Sequence, residues 1–192
     1  ADLCSALTGS GRTFAGRLAG ITHLLDSGLP LRTNTVILKQ NYTHLPAIAQ
    51  GIADLGVSRS LLTFPFFFEG NPQQINDFVP PDLADVRPCL DQAITVLQNH
   101  GIEVSLQGLP PCKLGEWAAL REKDPDRALV DSEHQFHGHS MLFSKTLGYF
   151  KNESCRNCPY NTSECWGYPR PGGLGSLGTA LALPDKIETE TR

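Results

Sequence analysis

Three cysteines near the C-terminus, Cys155, Cys158 and Cys165, stand at C-x2-C-x6-C spacing among turn-forming residues. The C-x2-C pair lets two thiolates meet one centre from a single turn. The longer interval lets the chain fold back with a third, and Asn157, Pro159, Asn161 and Gly167 supply the tight-turn chemistry. A fourth candidate, Cys112, follows Pro110 and Pro111, which fix the local backbone. Four converging thiolates suit tetrahedral zinc or an iron–sulfur cluster, and spacing alone does not choose between them. Disulfides or uncoordinated thiols are the plainer alternative. Cys89 falls beside the apolar face of a helical stretch and is expected to be structural, and Cys4 has no partner at ligand spacing. His134, His137 and His139 form a second cluster, whose simpler reading is a solvated polar loop.

The elements that must position these residues follow an α/β pattern. Apolar residues at helical spacing predict a helix over 13–27, closed by Gly28 and kept from restarting by Pro30. Residues 31–38 are rich in β-branched side chains and predict a strand. A helix over 45–55 and a strand over 60–64 follow, ended by Pro65. Residues 69–81 form a long polar connection. A helix over 82–100 then places Val86, Leu90, Ala93, Ile94 and Leu97 inward, and a short strand spans 102–106. Helices alternating with strands imply parallel strands joined by crossover helices. Residues 114–121 could form a short helix. Lys39, Gln40, Asn41, Glu69 and Asn71 lie just beyond strand ends, where α/β folds place ligand groups.

Composition narrows the classes. The chain has 192 residues and a net charge of −4, so nothing in its charge points to nucleic acid or an anionic membrane as partner. No apolar run of about 18 residues predicts a transmembrane helix, and no leader pattern is visible. Six cysteines and the sequons beginning at Asn41, Asn152 and Asn161 raise a secreted disulfide protein as an alternative. A core-forming α/β pattern has little need of such staples, so a cytoplasmic location is expected.

The order of several short motifs resembles a family. Leu7-Thr8-Gly9 leads to Thr13-Phe14-Ala15-Gly16-Arg17-Leu18-Ala19-Gly20-Ile21. Leu29-Pro30-Leu31-Arg32-Thr33-Asn34-Thr35-Val36-Ile37 follows, then Asn41 and Leu45-Pro46. This succession resembles the second half of a radical S-adenosylmethionine enzyme barrel. The stretch from Cys155 to Tyr168 is similar to the auxiliary-cluster extensions of the twitch and SPASM types. The resemblance implies about three β/α units of a partial barrel over 1–110, a cysteine-rich extension over 111–178 and a loose tail over 179–192. It implies an auxiliary [4Fe–4S] cluster on Cys112, Cys155, Cys158 and Cys165, with structural zinc in a non-catalytic module as the alternative. It places Asn34, and beside it Arg32, where family members contact S-adenosylmethionine. It also implies a small-molecule or peptide substrate and an electron-donor protein. The family's C-x3-C-x2-C motif is not reproduced by any spacing here, and the first residue is Ala with Met141 the sole methionine. The chain is therefore expected to be the C-terminal part of a longer enzyme and, by itself, inactive in radical chemistry.

Overall fold

The computed structural model describes residues 2–11, 13–64, 78, 83–122, 149–151, 153–162, 165 and 168–169. The chain divides into two compact units: Ala1–Pro65 with Leu83–Gln107, and Phe66–Asp82 with Gly108–Arg192. No helix among the described residues is long and apolar enough to cross a membrane.

The first unit is a mixed α/β structure. Its elements are α1 (Asp2–Thr8), α2 (Thr13–Asp26), β1 (Arg32–Val36), α3 (Leu45–Asp54), β2 (Arg59–Thr63), α4 (Leu83–Asn99) and β3 (Glu103–Gln107). The strands form a parallel sheet in the order β1-β2-β3, with Arg32 level with Arg59 and Arg59 level with Glu103. Thus the α/β alternation expected from the sequence is present. A single turn of 3-10 helix, Tyr42–His44, precedes α3.

Packing follows the two periodicities. Helices α3 and α4 pack on each other. Leu45, Ala49 and Ile52 are buried on α3, and Val86, Leu90, Ala93, Ile94 and Leu97 on α4. Those five α4 positions are the ones that helical spacing directs inward. Side chains alternate across a strand, so Ser60, Leu62, Val104 and Leu106 share one face. All four are buried, whereas Glu103 in the alternate register is exposed. Ser60 is fully buried and bonded to Thr33, Oγ1 to Oγ at 3.1 Å, so no buried hydroxyl is left unmatched there.

Helix α4 continues through Pro88. An interior proline costs a helix about 3 kcal/mol. Each fully buried apolar side chain contributes about 1.5–3 kcal/mol. With four such side chains on α4, Val86, Leu90, Ile94 and Leu97, burial outweighs the missing hydrogen bond, and the helix is not interrupted.

Two features depart from expectation. Helix α1 is present although no periodic pattern announces it. Helix α2 forms where spacing places it, but none of its residues is buried, and Phe14 and Leu24 are 36% and 37% exposed. Amphipathic spacing shows which face of a helix is apolar, but it carries no information on how completely that face is covered.

The second unit contains α5 (Pro111–Leu114), a 3-10 segment at Gly115–Leu120 and another at Glu153–Asn157. Strands β4 (Tyr149–Phe150) and β5 (Tyr168–Pro169) pair antiparallel, Tyr149 with Pro169 and Phe150 with Tyr168. This short ladder brings together the two ends of the cysteine-bearing loop.

Candidate metal centre

Cys112 lies in the first turn of α5. Pro110 is extended (φ −68°, ψ 147°) and Pro111 begins the helix, its fixed φ being already helical. Pro111 and Leu114 are buried, so this turn is anchored on one side while Cys112 stays exposed.

The loop between β4 and β5 reverses direction by a relay of short backbone bonds. The N–H of Cys158 donates to the carbonyl of Cys155 at 3.2 Å, and Asn161 donates to Cys158 at 2.9 Å. Thr162 donates to Tyr160 at 2.8 Å, and Cys165 donates to Thr162 at 3.3 Å. Each bond closes a tight turn, and together they carry the chain from one thiol to the next. Cys155 and Cys165 are buried and Cys158 is half-buried.

These four cysteines, separated by a long stretch of sequence, line one cavity of about 10 Å³ together with Pro110, Lys151, Tyr160 and Asn161. That is about the room one water-sized sphere needs. Among the described residues that line it there is no carboxylate or imidazole, and the potential metal donors are all thiols. Such a set suits zinc or iron–sulfur chemistry and not the oxygen-seeking ions. Thiols are the donor type that the group implied by the sequence resemblance uses, although the cavity between them holds no more than one water-sized sphere.

Among the described residues, no three His, Cys, Asp or Glu side chains adopt the arrangement that grips a single ion. Zinc bound at about 2.3 Å would draw four sulfurs to within about 3.8 Å of one another. The cysteines here share a cavity without converging on one point. None of the six is in a disulfide. His134, His137 and His139 lie outside the described residues, as do Glu69, Asn71 and Asn152.

Asn34 and Arg32 lie on β1, both exposed, and strand alternation puts them on one face of the sheet. The Oδ1 of Asn34 accepts a bond from Thr63 Oγ1 at 2.9 Å. Asn34 also lines a second cavity, of about 700 Å³, within the first unit, whereas Arg32 does not. Phe14, Leu18, Ile48 and Ile52 give this cavity its apolar wall, and Arg17, His44 and Cys4 contribute polar groups. Cys4 Sγ lies 3.9 Å from Thr13 Oγ1, which gives a local role to a residue the sequence leaves unassigned. The cavity arises where α1 and α2 come beside β1 and α3, a juxtaposition that no motif signals.

Asn41 is 5% exposed and fully engaged. Its Oδ1 accepts from the N–H of Leu38 at 2.7 Å, and its Nδ2 donates to the carbonyl of Val36 at 2.8 Å. It therefore closes the end of β1. A glycan has no room on an amide only 5% exposed, so this sequon gives no support to a secreted protein. Half-buried Cys89, on α4 between buried Val86 and Leu90, has the structural setting expected of it.

The chain matches no known protein family, no curated protein and no solved structure.

Proposed function

We propose that the chain is part of a radical S-adenosylmethionine enzyme and carries an auxiliary [4Fe–4S] cluster on Cys112, Cys155, Cys158 and Cys165. One observation carries the reading: the four thiols line a single cavity, and no other metal-ligating side chain is found among its described lining residues. In this reading the three parallel strands belong to a partial barrel, and the S-adenosylmethionine-cleaving cluster is held by a segment outside these 192 residues. Asn34 and Arg32 face S-adenosylmethionine in the complete enzyme. A small molecule or peptide is the substrate, and an electron-donor protein serves the cluster in the cytoplasm.

An auxiliary cluster supplies a redox centre or a rigid anchor. The residues present would hold it through four thiolates, leaving no open iron, which favours electron transfer or structure over substrate ligation. The turns around Cys155, Cys158 and Cys165 fix the ligand directions, and burial of Cys155 and Cys165 shields two of the sulfurs from water.

Structural zinc is the second reading, favoured by the small volume of the cavity. Anaerobic reconstitution with iron, sulfide and zinc in competition separates the two. The cluster reading expects a brown protein whose iron and sulfide match a [4Fe–4S] centre and are lost in Cys155→Ser. A colourless, air-stable, zinc-loaded protein would overturn it.

A further inference from the structure

Lys151 is the one cationic side chain among the described residues lining the four-cysteine cavity. It follows β4 directly, so the β4–β5 ladder fixes its backbone. Its ammonium makes two hydrogen bonds across the loop. One goes to Asn161 Oδ1 at 2.9 Å and the other to the carbonyl of Thr162 at 2.8 Å. The Thr162 carbonyl also receives the backbone N–H of Cys165 at 3.3 Å, and the Asn161 N–H donates to the carbonyl of Cys158 at 2.9 Å. Lys151 therefore grips the loop at two consecutive residues, each tied directly to a cysteine.

We propose that Lys151 is a positioning residue for the four-cysteine centre: it clamps the loop so that Cys165 returns to the cavity, and it sets a positive charge beside the thiolates. The proposal rests on the four-cysteine reading given above. Four thiolates carry more negative charge than a divalent ion neutralises, and a neighbouring ammonium offsets part of the excess. Lys151 is exposed, so water and salt screen that contribution and the hydrogen-bonded clamp is the larger effect. Partners that orient ligands typically change metal affinity by about 10–100-fold when removed.

The test uses the full chain, with Co²⁺ as probe, because its thiolate complexes absorb visibly. Wild type, Lys151→Met, Lys151→Gln, Lys151→Arg and Cys165→Ser are titrated. In parallel, the metal-free proteins are alkylated and the rate at each cysteine is mapped by mass spectrometry. Cys89, half-buried on α4, serves as an internal control for global unfolding. Lys151→Met is expected to bind Co²⁺ about tenfold more weakly, with faster alkylation of Cys165 and unchanged rates at Cys112 and Cys89. Arg retains charge and donors and is expected to stay nearer wild type than Gln. Wild-type affinity together with a wild-type Cys165 rate in Lys151→Met would overturn the proposal, as would weaker binding with no change at Cys165. Should the Met variant speed alkylation at Cys89 as well, the Gln and Arg variants decide by the same criteria. A wild type with no cobalt–thiolate band would sink the four-cysteine reading instead. The alkylation rates would then still decide whether the clamp exists.

Discussion

The packed helix α4 and the loop between β4 and β5 are built on opposite plans. On α4 the buried positions are aliphatic and recur at helical spacing: Val86, Leu90, Ala93, Ile94, Leu97. In the loop the side chains buried among the described residues are thiols, Cys155 and Cys165. One region coheres by removing hydrocarbon from water. The other puts polarizable, reactive groups where a core would be, and joins them by short turns. If those thiols are ligands, as proposed above, the segment would draw its stability from what they bind.

The contrast can be broken most severely through the ligands. Cys155→Ser or Cys165→Ser is expected to abolish metal binding at the proposed centre, read as metal per chain. Stripping the metal with a chelator is expected to speed hydrogen exchange throughout 149–169 while 83–107 keeps its protection. Equal loss of protection in both would show that the two regions do not differ as described. In α4, Ile94→Ala is expected to cost about 2–5 kcal/mol of unfolding free energy in denaturant titration, because it opens a cavity at a fully buried site. The same variant should leave metal content unchanged. Asn41→Ala leaves the Leu38 N–H and the Val36 carbonyl without their side-chain partner, for an expected loss of about 1–3 kcal/mol in the same assay. At the small end, Arg87→Ala removes a 2.7 Å pair with Asp91 that is 27% and 36% exposed. Such i,i+4 pairs contribute about 0.3–0.5 kcal/mol.

The two regions were also unequally legible in the sequence. Helix α4 is readable to within a residue or two at each end, because five aliphatic side chains on one stripe leave little choice. Strand β1 is readable from its β-branched run, β2 from an apolar stretch ended by Pro65, and β3 as a short strand following the third predicted helix. The cysteine loop is readable in composition and spacing, and the structure adds that Cys112 shares its cavity. The role of Lys151 was not legible. A lysine carries no spacing signal, and its two acceptors, an amide oxygen and a backbone carbonyl, leave no trace in a motif. Burial of the α2 face was not legible either, since Phe14 and Leu24 have the right period without a surface that covers them. Asn41 shows a third kind of limit: its sequon reads as a modification site, and only its two hydrogen bonds show that the amide is engaged.

Pro88 gives the first unit room for improvement. It is exposed on the outer side of α4, so replacing it removes no core contact. Pro88→Ala would restore a main-chain donor and relieve a helix penalty of about 3 kcal/mol, less about 0.4–1 kcal/mol for the looser unfolded chain. Proteins are rarely at their stability optimum, and such positions are where engineering gains are found. A chain carrying that substitution would have margin to absorb the cost of variants such as Asn41→Ala, so that sites in the first unit could be probed one at a time without unfolding it.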